Sequence, residues 1–456
     1  MQDAVVVGAG IAGLSAAWAL REHDVVVLEA ASRIGGRIRS ERRGDYWLNL
    51  AAHVFGGADT ATGRLMAEAG VASEPVPGVL TAVSMQGQLV ASGPVESYPF
   101  RLPLSFSDRV AAIRSGIKLR RAVARYDRAA RPRKGEHDNV RRDRMLAFLG
   151  DETFSSFIGH LPAGVEALYR PTITRSSGEL DELAAGHGVG YFHLVWRKGA
   201  GLSRNVLGGS SMFTHALARP LGRRLLTDAA VREVTQHKDR VVVRFRRGDR
   251  DDEIEARAVV LATPAYVTAA VATALPVETL SALESIPYGP YVVVAFLTGE
   301  PEATRWDGLY AIATPGRAFN MIFNLANVVR GPGARRPGGS LMLYSGGRRL
   351  AAPLLKLTDE EIVERYLTDL DEVFPEARSM VVEAIVQRWP RALPYPYPGR
   401  YRIQPALDRP LGRIALAGDY LGNMYTETAI QTGLAAAEHV FTTLGFARDG
   451  RPMKKH

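Results

Sequence analysis

The stretch Val5-Val6-Val7-Gly8-Ala9-Gly10-Ile11-Ala12-Gly13 decides the fold of this chain. Its three valines predict a buried strand, and the apolar run that follows, Ile11–Leu20, predicts a helix. Between them, Gly8 permits a tight turn, Gly10 lets backbone approach a pyrophosphate, and Gly13 lets the helix pack on the strand. The stretch therefore predicts the start of a dinucleotide-binding βαβ unit.

An acidic residue stands where such a unit needs one. The second predicted strand, Val25–Leu28, ends at Glu29, whose carboxylate can accept hydrogen bonds from an adenosine ribose, with Ala30 beside it. At the start of the helix, the free N–H groups of Ile11 and Ala12 can face the phosphates. These two features complete the prediction of a nucleotide site.

Two further segments favour FAD over NAD as the nucleotide. Shortly after Glu29, Gly36 lets the loop lie flat against a cofactor, and the guanidinium of Arg37 can cap phosphate charge. Near the other end of the chain, Gly418 and Asp419 form a turn before a predicted helix. There Asp419 can bind cofactor hydroxyls, while the helix N-terminus can face the electron-rich side of a flavin ring.

Together, these end segments resemble the superfamily of FAD-dependent amine oxidases, protoporphyrinogen oxidases and phytoene desaturases. Between the end segments, Gly208-Gly209 and Val259–Pro264 fit the same superfamily, and Arg388–Pro394 is most similar to its protoporphyrinogen oxidase branch. The resemblance implies an α/β fold, in which a Rossmann-type FAD-binding domain is interleaved with a substrate-binding domain of mixed sheet and helices. It also implies FAD, held non-covalently or, in some members, covalently, with backbone atoms of Val231 against the adenine. For this chain we predict non-covalent FAD, and Thr426 is a further candidate for cofactor binding.

The nucleotide-type elements occur at both ends and in the middle of the chain, which predicts a discontinuous domain. We assign residues 1–75, 205–265 and 405–450 to the FAD-binding domain. Residues 76–204 and 266–404 are then two insertions that form the substrate-binding domain.

The resemblance also indicates two catalytic candidates. His53, in the loop Leu50–Gly57, would lie beside the flavin, where it could orient substrate, act as a base, or serve only as a structural hydrogen-bonding group. Tyr425 matches a position that lines the substrate side of the flavin in amine oxidases. The second position of that aromatic cage is Ala392 here, which weakens an amine-binding interpretation.

A departure from the amine oxidases bears on the reaction. They usually carry a lysine in the strand that corresponds to Ile286–Phe296, and this chain has Pro290 or Tyr291 at the matching place. The favoured prediction is an FAD-dependent oxidase or dehydrogenase that desaturates a C–C or C–N bond of a small-to-medium metabolite by hydride transfer to flavin N5. O2 is a candidate acceptor. The alternatives are a flavin amine oxidase and a sugar-nucleotide mutase-like flavoprotein without net oxidation.

The positive charge is concentrated in one segment. The net charge of the 456 residues is +9, and residues 109–144 hold thirteen Lys and Arg against four Asp and Glu, an excess equal to the whole net charge. We expect amphipathic helices there, with Val110, Ile113 and Ile117 facing inward and the arginines facing water, an anionic membrane surface or an anionic substrate. Nucleic acid is not an expected partner, because Tyr126 is the segment's one aromatic residue.

The chain contains no cysteine, which excludes disulfides, thiolate metal sites and a flavin tethered through cysteine. This composition suits a reducing cytosol, so a cytoplasmic location is expected. No metal-binding motif, P-loop or GxSxG motif is present, and no metal is predicted. The longest uncharged apolar run, Ala4–Leu20, is short for a membrane-spanning helix and contains three glycines. The oligomeric state is not predicted.

Overall fold

A computed structural model describes residues 1–196, 202–330, 335–422 and 425–445. The end of the predicted FAD-binding segment, 446–450, lies outside these residues. The strands are β1 (Gln2–Val7), β2 (Val25–Leu28), β3 (Ser40–Arg43), β4 (Tyr46–Asn49), β5 (Phe55–Gly56), β6 (Ser73–Pro75), β7 (Ala82–Met85), β8 (Gln88–Val90), β9 (Leu202–Val206), β10 (Leu225–Leu226), β11 (Ala229–Gln236), β12 (Val241–Arg247), β13 (Arg250–Leu261), β14 (Tyr288–Thr298), β15 (Ala311–Ala313), β16 (Met321–Asn324), β17 (Gly339–Gly346), β18 (Val381–Pro394) and β19 (Ile414–Leu416).

The α-helices vary from short single turns to one helix of 25 residues. They are α1 (Ile11–Ala19), α2 (Ala61–Glu68), α3 (Tyr98–Arg101), α4 (Phe106–Ala130), α5 (Asp138–Ala147), α6 (Phe154–Ile158), α7 (Ala163–Ile173), α8 (Ala185–Trp196), α9 (Ser211–Ala218), α10 (Ala265–Val271), α11 (Val277–Glu284), α12 (Ala326–Arg330), α13 (Arg348–Leu354), α14 (Asp359–Asp371), α15 (Ala377–Met380), α16 (Gln404–Asp408) and α17 (Thr426–Leu444).

The first large sheet contains the predicted βαβ unit. Its order is β10-β2-β1-β13-β12-β11, with β19 also paired to β13. Strand β1 is parallel to both β2 and β13, and α1 connects β1 to β2. The valines of β1 are buried on both faces, as expected for a central parallel strand covered by helices.

Helices α1 and α17 pack closely on one face of this sheet. A Cβ at Gly433 of α17 would lie 2.2 Å from the carbonyl oxygen of Ala12, so only glycine permits this approach. The contact joins two segments from distant parts of the sequence, and it places the middle of α17 against the start of α1.

The second large sheet has the order β18-β14-β17-β16-β15-β7-β8. Its strands all come from the segments that the sequence assigns to the substrate domain, while the first sheet draws on the other three segments. Strand β17 is buried along its whole length, and Trp306, Phe319 and Tyr366 fill the core beneath this sheet. A small third sheet, β5-β9-β6, joins the two parts; its strand β9 begins at Leu202, ahead of the predicted boundary at 205.

A layer of helices, α4 to α8, covers one side of the substrate-binding part. The basic segment forms α4 and α5, as predicted; of the three residues predicted to face inward, Val110 and Ile113 are half-buried, and the prediction is wrong for Ile117. Ile117 is 49% exposed, while Ala112, Leu119 and Tyr126 are buried. The residues of α4 that are buried form a stripe rotated from the predicted one: Ala112, Ser115, Leu119, Ala122, Val123 and Tyr126. In the described part of the chain, no helix is long and apolar enough to cross a membrane.

Candidate active site

The glycines of the first turn have the conformations that a nucleotide site requires. Gly8 has φ +100°, and a Cβ there would lie 2.9 Å from the carbonyl oxygen of Ala262. A Cβ at Gly13 would lie 1.9 Å from the oxygen of Gly8. At Gly10, by contrast, no atom lies within 4 Å of where a Cβ would stand, so the backbone borders open space. This is the position expected against a pyrophosphate.

The start of α1 has unsatisfied donors. Gly10 is its N-cap residue, no side chain caps it, and its first turn contains no acidic residue. The first N–H groups of a helix have no intrahelical partner, so those of Ile11 and Ala12 are available to an anion. This end of α1 therefore fits a phosphate group.

Glu29 is held in place by the backbone around it. Its Oε2 accepts a hydrogen bond from Ala9 N at 2.7 Å, and its Oε1 accepts one from Ala31 N at 2.9 Å. Ala30 between them is exposed. Each carboxylate oxygen keeps a lone pair for a further donor, so the group is oriented for ribose hydroxyls.

Val231 lies two residues after a backbone contact with Glu29. The backbone of β11 is joined to the end of β2 by a hydrogen bond from Ala229 N to Glu29 O at 2.8 Å. Val231 is half-buried, and the pairing of β11 with β12 is irregular next to it. This placement is compatible with the expected backbone contact to an adenine.

Arg37 and Asp419, which are 382 positions apart, form a bidentate ion pair. Arg37 Nη1 donates to Asp419 Oδ2 at 2.6 Å, and Nη2 donates to Oδ1 at 2.9 Å. Arg37 also donates to the carbonyl oxygen of Ala392 at 3.0 Å. The sequence suggests a separate cofactor contact for each side chain; the structure instead pairs the two with each other. The pair fastens the Gly36 loop to the Gly418 turn.

The start of α17 is tied to α2 rather than capped by its own side chains. Glu427 accepts hydrogen bonds from Ala61 N at 2.8 Å and Thr62 N at 2.9 Å, and thereby caps α2. Tyr425 is the N-cap residue of α17 and makes no side-chain capping bond. The first turn, with Thr426, is half-buried, and its N–H groups are available to a polar group such as the flavin pyrimidine.

His53 is a neutral imidazole in an aromatic environment. Its ring centroid lies 4.5 Å from that of Phe323, and its Nδ1 lies 3.3 Å from the carbonyl oxygen of Ala51. Burial lowers the pKa of His53 to about 4, against the hydrogen bond to Ala51, and the charge of Arg175 lowers it further. Since Nδ1 faces a carbonyl, it carries the proton, and Nε2 keeps its lone pair. Nε2 is buried without a hydrogen-bond partner among the described residues.

Tyr425 belongs to a cluster of aromatic rings contributed by α8. Its ring lies 5.4 Å from that of Tyr191 and is stacked 6.2 Å from that of His187. Burial lowers the pKa of His187 to about 3, and its Nε2 has no hydrogen-bond partner among the described residues. The predicted second cage position, Ala392, is buried and contributes its backbone carbonyl to Arg37.

The hydroxyl of Tyr291, one of the two residues that could match the lysine of amine oxidases, is hydrogen-bonded to backbone. It donates to the carbonyl oxygens of Thr174 at 3.0 Å and Arg175 at 2.5 Å. The ring packs 5.1 Å from that of Tyr344, and burial raises the pKa of Tyr291 well above its usual value. A neutral hydroxyl bound to backbone cannot supply the charge of a lysine.

Several residues of this cluster have no motif that marks them in the sequence. Arg175 is the most consequential, since its charge acts on His53 and on Tyr425, the two catalytic candidates. Tyr344, from β17, and His187, from a helix, are the others. They come from distant parts of the chain, and only the packing of the two sheets against the helical layer brings them together.

The residues at both ends of this region fit FAD. The phosphate end offers uncapped helix N–H groups and open space over Gly10, and the other end offers two buried imidazole nitrogens, of His53 and His187, that have no partner in the described part of the chain. Among the described residues, no group of His, Asp and Glu side chains could hold a metal ion.

The fold and this site define a Rossmann-type flavin-binding oxidoreductase. Residues 11–441 match the family of flavin containing amine oxidoreductases, and the chain belongs to that family.

Relatives in the family have different substrates. A Mycobacterium tuberculosis protein assigned as a flavin-containing monoamine oxidase, AofH, is 30% identical over 278 residues, which are 58% of this chain and 57% of that protein. The chain thus spans little more than half of that relative. Coproporphyrinogen III oxidase of Mycobacterium bovis is 25% identical over 468 residues, covering 96% of this chain and 97% of the relative.

A solved structure of putrescine oxidase bound to putrescine has a TM-score of 0.76 and covers 97% of this chain and 99% of its own. Its sequence identity is 20%. At this identity the likeness shows the shared fold.

Proposed function

We propose that this protein is an FAD-dependent oxidase or dehydrogenase that desaturates a C–C or C–N bond of a small-to-medium metabolite. One observation carries the proposal: the Arg37–Asp419 pair ties the Gly36 loop of the nucleotide site to the turn that precedes Tyr425 and its aromatic neighbours. When bound, FAD supplies the hydride-accepting N5 atom. The chain itself must bind and orient the substrate and exclude water from it.

Non-covalent contacts hold the cofactor in this proposal. The glycine turn and the N-terminus of α1 bind the phosphates, Glu29 binds the ribose, and the turn at Gly418 with the start of α17 faces the ring. No cysteine exists to form a thioether with the flavin. Thus acid or heat should release all of the FAD.

We assign His53 the handling of a substrate proton. Its Nε2 is buried, unpartnered among the described residues and unprotonated at neutral pH, so it can accept a proton or orient an N–H of substrate. Tyr425 contributes an apolar ring face that positions the substrate. Both roles need the substrate to lie between the residues and the flavin.

The reaction that this site supports is not the oxidation of a simple primary amine. Pro290 or Tyr291 stands at the place of the lysine, and Ala392 stands at the place of the second cage residue, so two features of amine oxidases are missing. The protoporphyrinogen oxidase-like or desaturase branch accommodates both differences. The full-length similarity to a coproporphyrinogen oxidase supports the same branch.

The decisive test is anaerobic bleaching of the bound flavin by a panel of substrates, followed by admission of O2. A porphyrinogen or another reduced carbon skeleton should bleach the flavin, and O2 should restore the colour with release of H2O2. Rapid bleaching by benzylamine or putrescine would instead assign the protein to the amine oxidases. Product formation without any net oxidation would assign it to the mutase-like flavoproteins.

We also propose a membrane contact and a cellular location for this protein. The basic face of α4 suits contact with an anionic membrane surface, because several of its arginines are exposed. A chain without cysteines suits a reducing compartment, and we propose a cytoplasmic location.

A further inference from the structure

Arg175 carries a positive charge for which the described residues offer no anion. The residue is half-buried, and its guanidinium makes no ion pair and no hydrogen bond with any described residue. Arginine remains protonated in proteins, and a buried charge is costly unless it is paired. The two glutamates that flank Arg175 in the sequence, Glu166 and Glu179, are both bound by Arg170.

The groups that face Arg175 are phenols. Its charge interacts with the four phenols of Tyr344, Tyr191, Tyr425 and Tyr291, and it also acts on Tyr310 and on the neutral imidazole of His53. Burial raises the pKa of Tyr344 to about 12 and those of the other three above their usual value. All four are therefore neutral at pH 7. They can donate hydrogen bonds but cannot balance the charge.

The backbone that carries Arg175 is rigidly placed. Residues Thr174–Ser176 form a tight turn after α7, and the Tyr291 hydroxyl binds two of its carbonyls. Gly346 and Gly289 let two strands press against this turn, since a Cβ at either would lie within 2.4 Å of a carbonyl oxygen in it or next to it. The guanidinium is thus presented by a fixed support, as in a preorganised binding site.

The location of this charge ties it to the reaction. The charge of Arg175 lowers the pKa of His53, and it also acts on Tyr425, so the guanidinium lies within electrostatic reach of both catalytic candidates. A substrate that contacts His53 and Tyr425 therefore experiences the positive charge of Arg175.

We infer that Arg175 binds a carboxylate of the substrate, with the surrounding tyrosine hydroxyls as additional donors, so that the substrate class is an anionic metabolite rather than a simple amine. The inference rests on the proposed function, because it names the substrate of that same site. A guanidinium binds a carboxylate through two parallel hydrogen bonds, which also fixes the orientation of the molecule.

The test is titration of the FAD-loaded protein with benzoate, benzamide and benzylamine, followed by the flavin spectrum and by calorimetry. Benzoate should perturb the spectrum and bind at least tenfold more tightly than either uncharged benzamide or cationic benzylamine. Arg175→Gln should weaken benzoate binding by tenfold or more, and Arg175→Lys should weaken it less than Arg175→Gln does. Arg348→Gln, at an exposed arginine on the surface, is the matched control and should bind benzoate like the parent.

Some results would overturn the inference. One is benzoate binding that is equal in Arg175→Gln, Arg175→Lys and the parent while FAD content and melting temperature are unchanged. Another is a loss of FAD affinity in Arg175→Gln with benzoate binding intact, which would assign the guanidinium to the cofactor. Calorimetry reports carboxylate binding whether or not the flavin can be reduced, so failure of the redox proposal remains distinguishable from failure of this inference.

Discussion

At the scale of single residues, Glu29 combines two functions in one carboxylate. It satisfies the N–H groups of Ala9 and Ala31, and it retains acceptor capacity for a ribose. Replacement by alanine should weaken FAD binding by roughly 1–3 kcal/mol, the range for an unmade charged hydrogen bond. Calorimetric titration of apoprotein with FAD measures this difference. Glu22→Ala, which removes an exposed carboxylate near Glu29 in the sequence, is the control. Equal FAD affinity in the two variants would refute the ribose contact.

His53 permits a separate kinetic prediction. Because its Nε2 is unprotonated and faces no protein donor in the described structure, His53→Gln should lower turnover about 10- to 1,000-fold if the imidazole moves a proton. Rapid-reaction measurement of flavin reduction gives the rate. A decrease well below tenfold, at unchanged FAD content, would mean that His53 is structural.

His187 should make the protein sensitive to acid. Its pKa is about 3 in the folded chain against 6.5 as its ordinary value, so the unfolded chain takes up the proton first. The contribution of neutral His187 to the free energy of unfolding is present above pH 6.5 and is lost as the pH falls. Protonation of this residue in the unfolded chain should lower the free energy of unfolding by about 3 kcal/mol between pH 7 and pH 4. Urea unfolding at both pH values checks this. His187→Phe should reduce the pH dependence, whereas the same change at exposed His237 should leave it as it is in the parent.

At the scale of secondary-structure elements, the contact of α1 with α17 depends on one glycine. Gly433→Ala should destabilise the protein by about 1–3 kcal/mol, because the new methyl group would meet the Ala12 carbonyl at 2.2 Å. Gly116→Ala, within α4, meets no atom within 4 Å and should stabilise by about 0.5–1 kcal/mol. Thermal and urea unfolding give both values. An unchanged free energy of unfolding in Gly433→Ala would show that α1 and α17 leave room for a methyl group between them.

The local signals in the sequence predict the elements at the chain ends well. Strand β1, helix α1 and strand β2 follow from apolar runs and glycine positions that act within a few residues of one another. The buried face of α4 could not be predicted in this way. Leu119 and Ala112 are buried because other helices pack against them, and the spacing of Val110 and Ile117 does not show where those helices lie. For the same reason the pairing of Arg37 with Asp419 follows only from the folded chain.

At the scale of the whole molecule, the candidate site draws its residues from three parts of the fold: the first sheet with its helices, the second sheet, and the layer of helices α4 to α8. The nucleotide end is predictable because its residues are close in sequence and have fixed roles. Arg175, Tyr344 and His187 are not predictable, because each is an ordinary residue of its own element and acquires a role only through the packing of the second sheet on the helical layer.

The surface charge also makes a prediction at this scale. The protein should sediment with anionic vesicles at low salt and be released at high salt, because exposed arginines of α4 can approach lipid phosphates. Arg114→Ala combined with Arg121→Ala should weaken sedimentation several-fold, whereas Arg219→Ala combined with Arg223→Ala should not. Absence of binding at low salt would remove the membrane proposal.

The central claim is that this chain binds FAD without a covalent bond and uses it for oxidation. The most direct measurement is the visible spectrum of the purified protein, before and after acid precipitation, with the FAD in the supernatant quantified. We predict a yellow protein with one FAD per chain, all of it released into the supernatant. A colourless protein that does not take up added FAD, or a flavin that stays with the precipitate, would contradict the claim.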